Sequence, residues 1–145
     1  IKYIFVHCTA SRQTWSVDAL LKEFTNKGWH YPGYHWIVEA NGKATQLMTE
    51  DLPSNGVKGY NHESINVAYM GGISRSGNPI DNRTDEQKAT LRELLTELKQ
   101  RYPDAKILGH RDISPDLNHN GKVDIWVRLK ECPCFDAITE YADIK

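Results

Sequence analysis

No run of apolar residues in this chain approaches the ~18 that a membrane-crossing helix needs, so the sequence offers no bilayer span. An excess of one charge is missing as well: 18 Lys and Arg stand against 19 Asp and Glu, giving a formal net charge of −1. That balance supplies neither a basic stripe for nucleic acid nor a field for an anionic membrane, and neither is expected as a partner. Cysteines number only three, an odd count that cannot pair off internally. Cys132 and Cys134, in a C-x-C arrangement, are poor partners for each other. No disulfide framework is expected, which leaves the thiols free or available to a metal. No signal peptide is visible, and a start at Ile1 is what a mature or trimmed chain would show. Repeats and low-complexity linkers are also lacking. At 145 residues the chain reads as one domain over 1–145, expected to be a monomer and large enough to bury a core without staples.

What is present is an alternation of strands and helices. "IKYIFVH" (1–7) is rich in β-branched and aromatic residues and reads as a buried strand ending in a histidine. From Ser16, a candidate N-cap, residues Val17, Leu20, Leu21 and Phe24 fall on one helical face, and Gly28 ends the helix. "YHWIVEANGKATQLM" reads as a hairpin turning at Asn41-Gly42. A polar, irregular stretch over 49–66 leads into "INVAYMGG", another strand. "TDEQ" (84–87) is a capping box, and Leu91, Leu94, Leu95 and Leu98 give the following helix its buried stripe. Pro103 breaks that helix, "AKILGH" is a short strand ending in a second histidine, and a last short helix is expected over 135–141. The pattern predicts an α/β fold: a single-domain mixed sheet with helices packed on its faces. In such folds chemistry gathers at strand ends, where His7 and His110 both fall.

A catalytic zinc takes three protein ligands and keeps a fourth position open for water. His7, His110 and one cysteine of "CPC" would supply them from three separate segments, although no local zinc spacing such as C-x-x-C is present. Each histidine alone reads more readily as a hydrogen-bonded strand-end residue, and only the two together with a cysteine bring the metal reading level with it. "DLNHNGKVD" (116–124) resembles the opening of a calcium loop, with Asp116, Asn118, Asn120 and Gly121 in place. Its twelfth position is Val127 where a bidentate glutamate is required, so calcium is not expected there.

"FVHCTAS", "GYHWIVEANGK", "VKGYNHESINVAYMGG", "GHRD" and "KECPCFD", in that order, resemble the N-acetylmuramoyl-L-alanine amidases of the type 2 zinc family. That family includes amidase-type phage lysozymes and shares its fold with peptidoglycan recognition proteins. The resemblance runs from about residue 3 to residue 140. It implies a hydrolase that cuts the amide between the lactyl group of N-acetylmuramic acid and L-alanine, with peptidoglycan as its partner and one zinc per chain as cofactor. The zinc ligands it implies are His7, His110 and Cys132; Cys132 is taken over Cys134 because it keeps the two-residue offset from Lys130. It further implies catalytic side chains at Tyr34 and Lys130 and a substrate-binding residue at His62.

The residue types suit the chemistry. Zinc-activated water attacks the carbonyl, a lysine ammonium can stabilise the oxyanion, and a tyrosine hydroxyl can position water or assist proton transfer. With a phenol pKa near 10, positioning is the expected role. His35, beside Tyr34 on a strand, is expected on the opposite face, and Cys8 is expected to be a small core residue turned from the metal. The competing class is a muropeptide-binding module that does not cut. Binders resembling this family typically lack the cysteine ligand, so Cys132 favours catalysis.

Overall fold

The structure, a computed structural model, describes residues 1–113 and 132–145. Lys130 and the 116–124 loop lie outside the described residues. The strands are β1 (Tyr3–Cys8), β2 (Trp36–Val38), β3 (Ala44–Gln46), β4 (Ser64–Tyr69) and β5 (Lys106–Gly109). They form one sheet in the order β3-β2-β4-β1-β5. β1 runs parallel to β4 and β5, β2 parallel to β4, and only β3 is antiparallel, as the Asn41-Gly42 hairpin requires. The mixed sheet with helices on both faces is the α/β fold read from the sequence.

Three described helices accompany it: α1 (Val17–Asn26), α2 (Asp85–Arg101) and the single-turn α3 (Ala137–Glu140). Ser16 caps α1 by accepting the Ala19 N–H at 3.1 Å. Thr84 and Gln87 form the capping box of α2 as predicted. Gln87 does more than cap. Fully buried, it also donates to the carbonyls of Val38 (3.1 Å) and Met70 (3.0 Å), tying α2 to the ends of β2 and β4.

Strand alternation sorts the core into two layers. Ile4, Val6 and Cys8 of β1 and Ile65, Val67 and Tyr69 of β4 pack with the four α2 leucines. Each such buried leucine contributes about 1.5–3 kcal/mol. Ile37, Ala68 and Met70 pack against Leu20 and Phe24 of α1. The α1 side of the sheet also holds two buried polar residues on its central strands, His7 and Asn66, where the pattern would call for apolar ones.

The C-terminal segment docks on this body through Arg83, whose side chain is 2% exposed. Its guanidinium lies 3.4 Å over the Phe135 ring and pairs with Asp81 (2.8 Å) and Glu140 (2.6 Å). Burial pushes the Asp81 carboxyl up, but Arg83's hydrogen bonds and charge outweigh it and hold it below its ordinary 3.8. Arg83 likewise holds Glu140 below 4.5. Both carboxylates therefore contribute stability that is fully present above about pH 4.5 and is lost as pH falls through their depressed values. Thermal midpoints measured from pH 6 to pH 3 should fall for the native chain. The Asp81→Asn/Glu140→Gln variant should start lower and fall less, so that the two curves converge; parallel curves would remove the cluster from the acid response.

Candidate metal centre and active-site cavity

The parallel strands β1 and β5 deliver their C-terminal ends side by side. His7 is the penultimate residue of β1, and His110 opens the 3₁₀ turn His110–Asp112 immediately after β5. The two rings stand 4.9 Å apart, edge to face. The Asp112 carboxylate accepts the Gly109 N–H at 2.7 Å and fixes the turn on which His110 rides.

Cys132 arrives from the far end of the chain and is held there by several contacts. Its carbonyl accepts the Arg111 N–H at 2.8 Å, and the Tyr69 hydroxyl donates to the Pro133 carbonyl at 2.6 Å. Gly109 lets Pro133 pack closely, since a Cβ there would lie 2.7 Å from Pro133 Cδ. The Cys132 Sγ accepts the Cys8 N–H at 3.2 Å. Together His7, His110 and Cys132 present one ligand atom each within 4.8 Å of one another. No other such His, Cys, Asp or Glu group occurs among the described residues.

The donor chemistry fits a metal. Burial, then the nearby His110 charge, lowers the His7 pKa to about 3 against a smaller opposing hydrogen bond from Asn66. Burial lowers His110 to about 4. Both imidazoles are therefore neutral at physiological pH and keep a lone pair, as ligands must. Two imidazoles and one sulfur are a three-ligand set that leaves a tetrahedral zinc its fourth position.

A cavity of roughly 330 Å³ opens on these three residues and is walled by Tyr34, Trp29, Phe24 and the Asn55-Gly56 loop. Tyr34 sits 5.1 Å from the His7 ring, and its hydroxyl donates to the Cys8 carbonyl at 3.3 Å. Burial, reinforced by the neighbouring Cys132, Cys8 and Glu23, keeps its pKa well above 10, so it is a neutral phenol that donates. Cys134 turns elsewhere, its Sγ 3.6 Å from the Gly72 carbonyl and 4.0 Å from the Cys8 Sγ. Cys8 belongs to the α2-side core, and its thiol is pushed up chiefly by the Cys132 contact. His35 is fully buried, accepting the Asn66 N–H on Nδ1 at 3.0 Å and bonding the Leu52 carbonyl through Nε2 at 2.7 Å.

The structure does not bring His62 to this group. It is exposed on the 3₁₀ turn Asn61–Glu63, outside the cavity walls. Because β4 is parallel to β1 in the register Tyr3↔Ser64, His62 lies beside the start of β1, whereas His7 lies at its end. Sequence reasoning missed Asn66, which bonds His7, and Ser54 and Gly56, which pack on Asn66; the signal was a lone Asn between Ile65 and Val67 in an otherwise apolar strand.

Comparison with known proteins gives a consistent set of likenesses. The family described as N-acetylmuramoyl-L-alanine amidase matches residues 1–134. The endolysin of Klebsiella phage KP32 is 36% identical over 135 residues, covering 92% of this chain and 80% of the relative. Among solved structures, the N-acetylmuramoyl-L-alanine amidase LysC from Clostridium intestinale URNW superposes with a TM-score of 0.74 at 19% identity, covering 98% of this chain and 83% of that one. Drosophila peptidoglycan recognition protein SD superposes at 0.65 with 17% identity, over 79% of this chain and 72% of its own. These last two show the shared fold.

Proposed function

Since the chain belongs to the N-acetylmuramoyl-L-alanine amidase family, we propose that it hydrolyses the amide between the lactyl group of N-acetylmuramic acid and L-alanine in peptidoglycan, using zinc held by His7, His110 and Cys132. The observation that carries this reading is the convergence of two neutral imidazoles and one sulfur on a cavity at the strand ends. Bound there, zinc supplies Lewis acidity toward water and the amide carbonyl.

The chain's own residues supply the rest. Tyr34, whose single hydroxyl hydrogen goes to the Cys8 carbonyl, offers its oxygen as an acceptor that positions the attacking water, and as a neutral phenol it does not serve as a base. Lys130, which lies outside the described residues, is assigned the oxyanion on the strength of the family motif; one such donor is worth about 2.7–4 kcal/mol of barrier. His62, exposed and not among the cavity-lining residues, has no role in this reading.

The test is digestion of purified peptidoglycan with mass analysis of the products. Peptides newly beginning with L-alanine, and glycan with free lactyl carboxyl groups, are expected. Intact stems on shortened glycan, or binding without release, would reverse the proposal. Tyr34→Phe should lower kcat by about 10²-fold while zinc per chain stays unchanged, checked by turnover beside elemental analysis. Loss of zinc from that variant would move Tyr34 from chemistry to site assembly.

A further inference from the structure

His7 lines the cavity and is also held through its ring by a buried side chain of the neighbouring strand. Its Nε2 stands 2.7 Å from Asn66 Oδ1, and Asn66 is wholly buried in the central strand β4. The Asn66 amide is itself held: its Nδ2 donates to Ser54 Oγ at 2.7 Å and lies 3.5 Å from Ser64 Oγ. Ser64 Oγ donates its own hydrogen to the Tyr60 carbonyl at 2.8 Å, so toward Asn66 it can only accept. The amide edge facing the serines is therefore the NH₂, and the edge facing His7 is the carbonyl. The backbone is pinned too, with Asn66 N–H and C=O bonded to His35. Gly56 closes the cradle, since a Cβ there would lie 2.2 Å from Asn66 Cγ. Asparagine is depleted from strands, so one buried at the centre of this sheet calls for another reason.

We infer that Asn66 is a positioning residue that fixes the tautomer and ring orientation of His7. Its carbonyl takes the Nε2–H, so the lone pair is confined to Nδ1, the nitrogen left to ligate. Ser54, Ser64 and Gly56 hold Asn66 to that one orientation. An outer partner of this kind typically changes metal affinity by about 10–100-fold. The inference rests on the metal reading for its purpose, but not for its geometry.

The experiment uses the metal-stripped full chain. Long-range ¹H–¹⁵N correlation through the imidazole ring reads the His7 tautomer directly, with no metal and no turnover involved. The Nε2–H form is expected; the Nδ1–H form in the native chain would overturn the inference whatever the variants do. Zinc affinity is then measured by competition with a chromophoric chelator. Asn66→Ala should mix the His7 tautomers and weaken zinc by about 10–100-fold. Asn66→Asp keeps an acceptor at the same place and should restore both the tautomer and affinity to within a few-fold of native. Equal weakening in both variants, or native affinity in Asn66→Ala, would sink it. If Asn66→Ala does not fold, Ser54→Ala loosens the amide without emptying the core and should mix the tautomers; an unmixed spectrum there counts against it. A native chain that shows the Nε2–H tautomer yet binds no zinc would leave the Asn66 assignment standing and remove the metal reading instead.

Discussion

Replacing Cys132 with serine should empty the metal site and silence peptidoglycan hydrolysis. Elemental analysis of native protein should give near one zinc per chain and of Cys132→Ser near none. A serine hydroxyl is close in size to the thiol, yet at neutral pH it stays protonated and does not furnish the anionic ligand that a thiolate does. The loss should exceed the ~10–100-fold that follows from removing an outer partner, because here a direct ligand is gone. Folding should survive, since the corner is held by contacts that do not involve the sulfur: Arg111 N–H to the Cys132 carbonyl, Tyr69 to Pro133, and Pro133 over Gly109. Metal-free native protein and the variant should accordingly melt within a few degrees of each other. Cys134→Ser is the matched control and should retain zinc, because that thiol is engaged with Gly72 and Cys8 away from the histidines. Zinc kept in Cys132→Ser and lost in Cys134→Ser would exchange the two assignments.

The second large effect concerns Arg83. Arg83→Met keeps bulk over the Phe135 ring but strands Asp81 and Glu140 without their cation. Breaking a fully buried pair costs about 3–5 kcal/mol. These carboxylates remain partly solvated, at 30% and 36% exposure, so the expected cost is nearer 2–3 kcal/mol. Chemical denaturation should show it as a lower midpoint at an unchanged slope. Arg83 touches nothing in the cavity but clamps Phe135, Glu140 and Tyr141, the segment that follows Cys132. The variant should therefore also bind zinc more weakly. A destabilised variant with native zinc affinity would show that the Cys132 corner holds itself in place without the clamp.

Much of this architecture was legible in the sequence because its signals are local. Ser16, the Thr84–Gln87 capping box, the α2 leucines and Asn41-Gly42 each declare an element within a few residues. The two strand-end histidines were legible from the strand pattern, whereas Cys132 as their partner came from the resemblance to the family motif. What was hidden is what depends on neighbours in space. Arg83 sits in a polar run that reads as loop, and only the fold supplies Glu140 and the Phe135 ring. Asn66 stands out as a lone polar residue in an apolar strand, but what it and Gly56 do is set only when β4 is placed beside β1. His62 lies within a family motif, but the strand direction that separates it from His7 is a tertiary fact.

The order of the ligands along the chain has a consequence for assembly. Cys8, next to His7, and Cys132 are 124 residues apart, yet they touch. In the proposed site, an ion shared by His7 and Cys132 would be a reversible cross-link between β1 and the segment at residue 132, closing a loop of well over half the sequence. Loop closure of that length costs the unfolded chain little more than a shorter one, since the entropy grows only logarithmically. The return is a coupling of metal to wholeness. A chain ending before residue 132 lacks the Cys132 ligand of that proposed site, and one ending before residue 110 lacks His110 as well, so the three-ligand set is complete only once the Cys132 corner has been made.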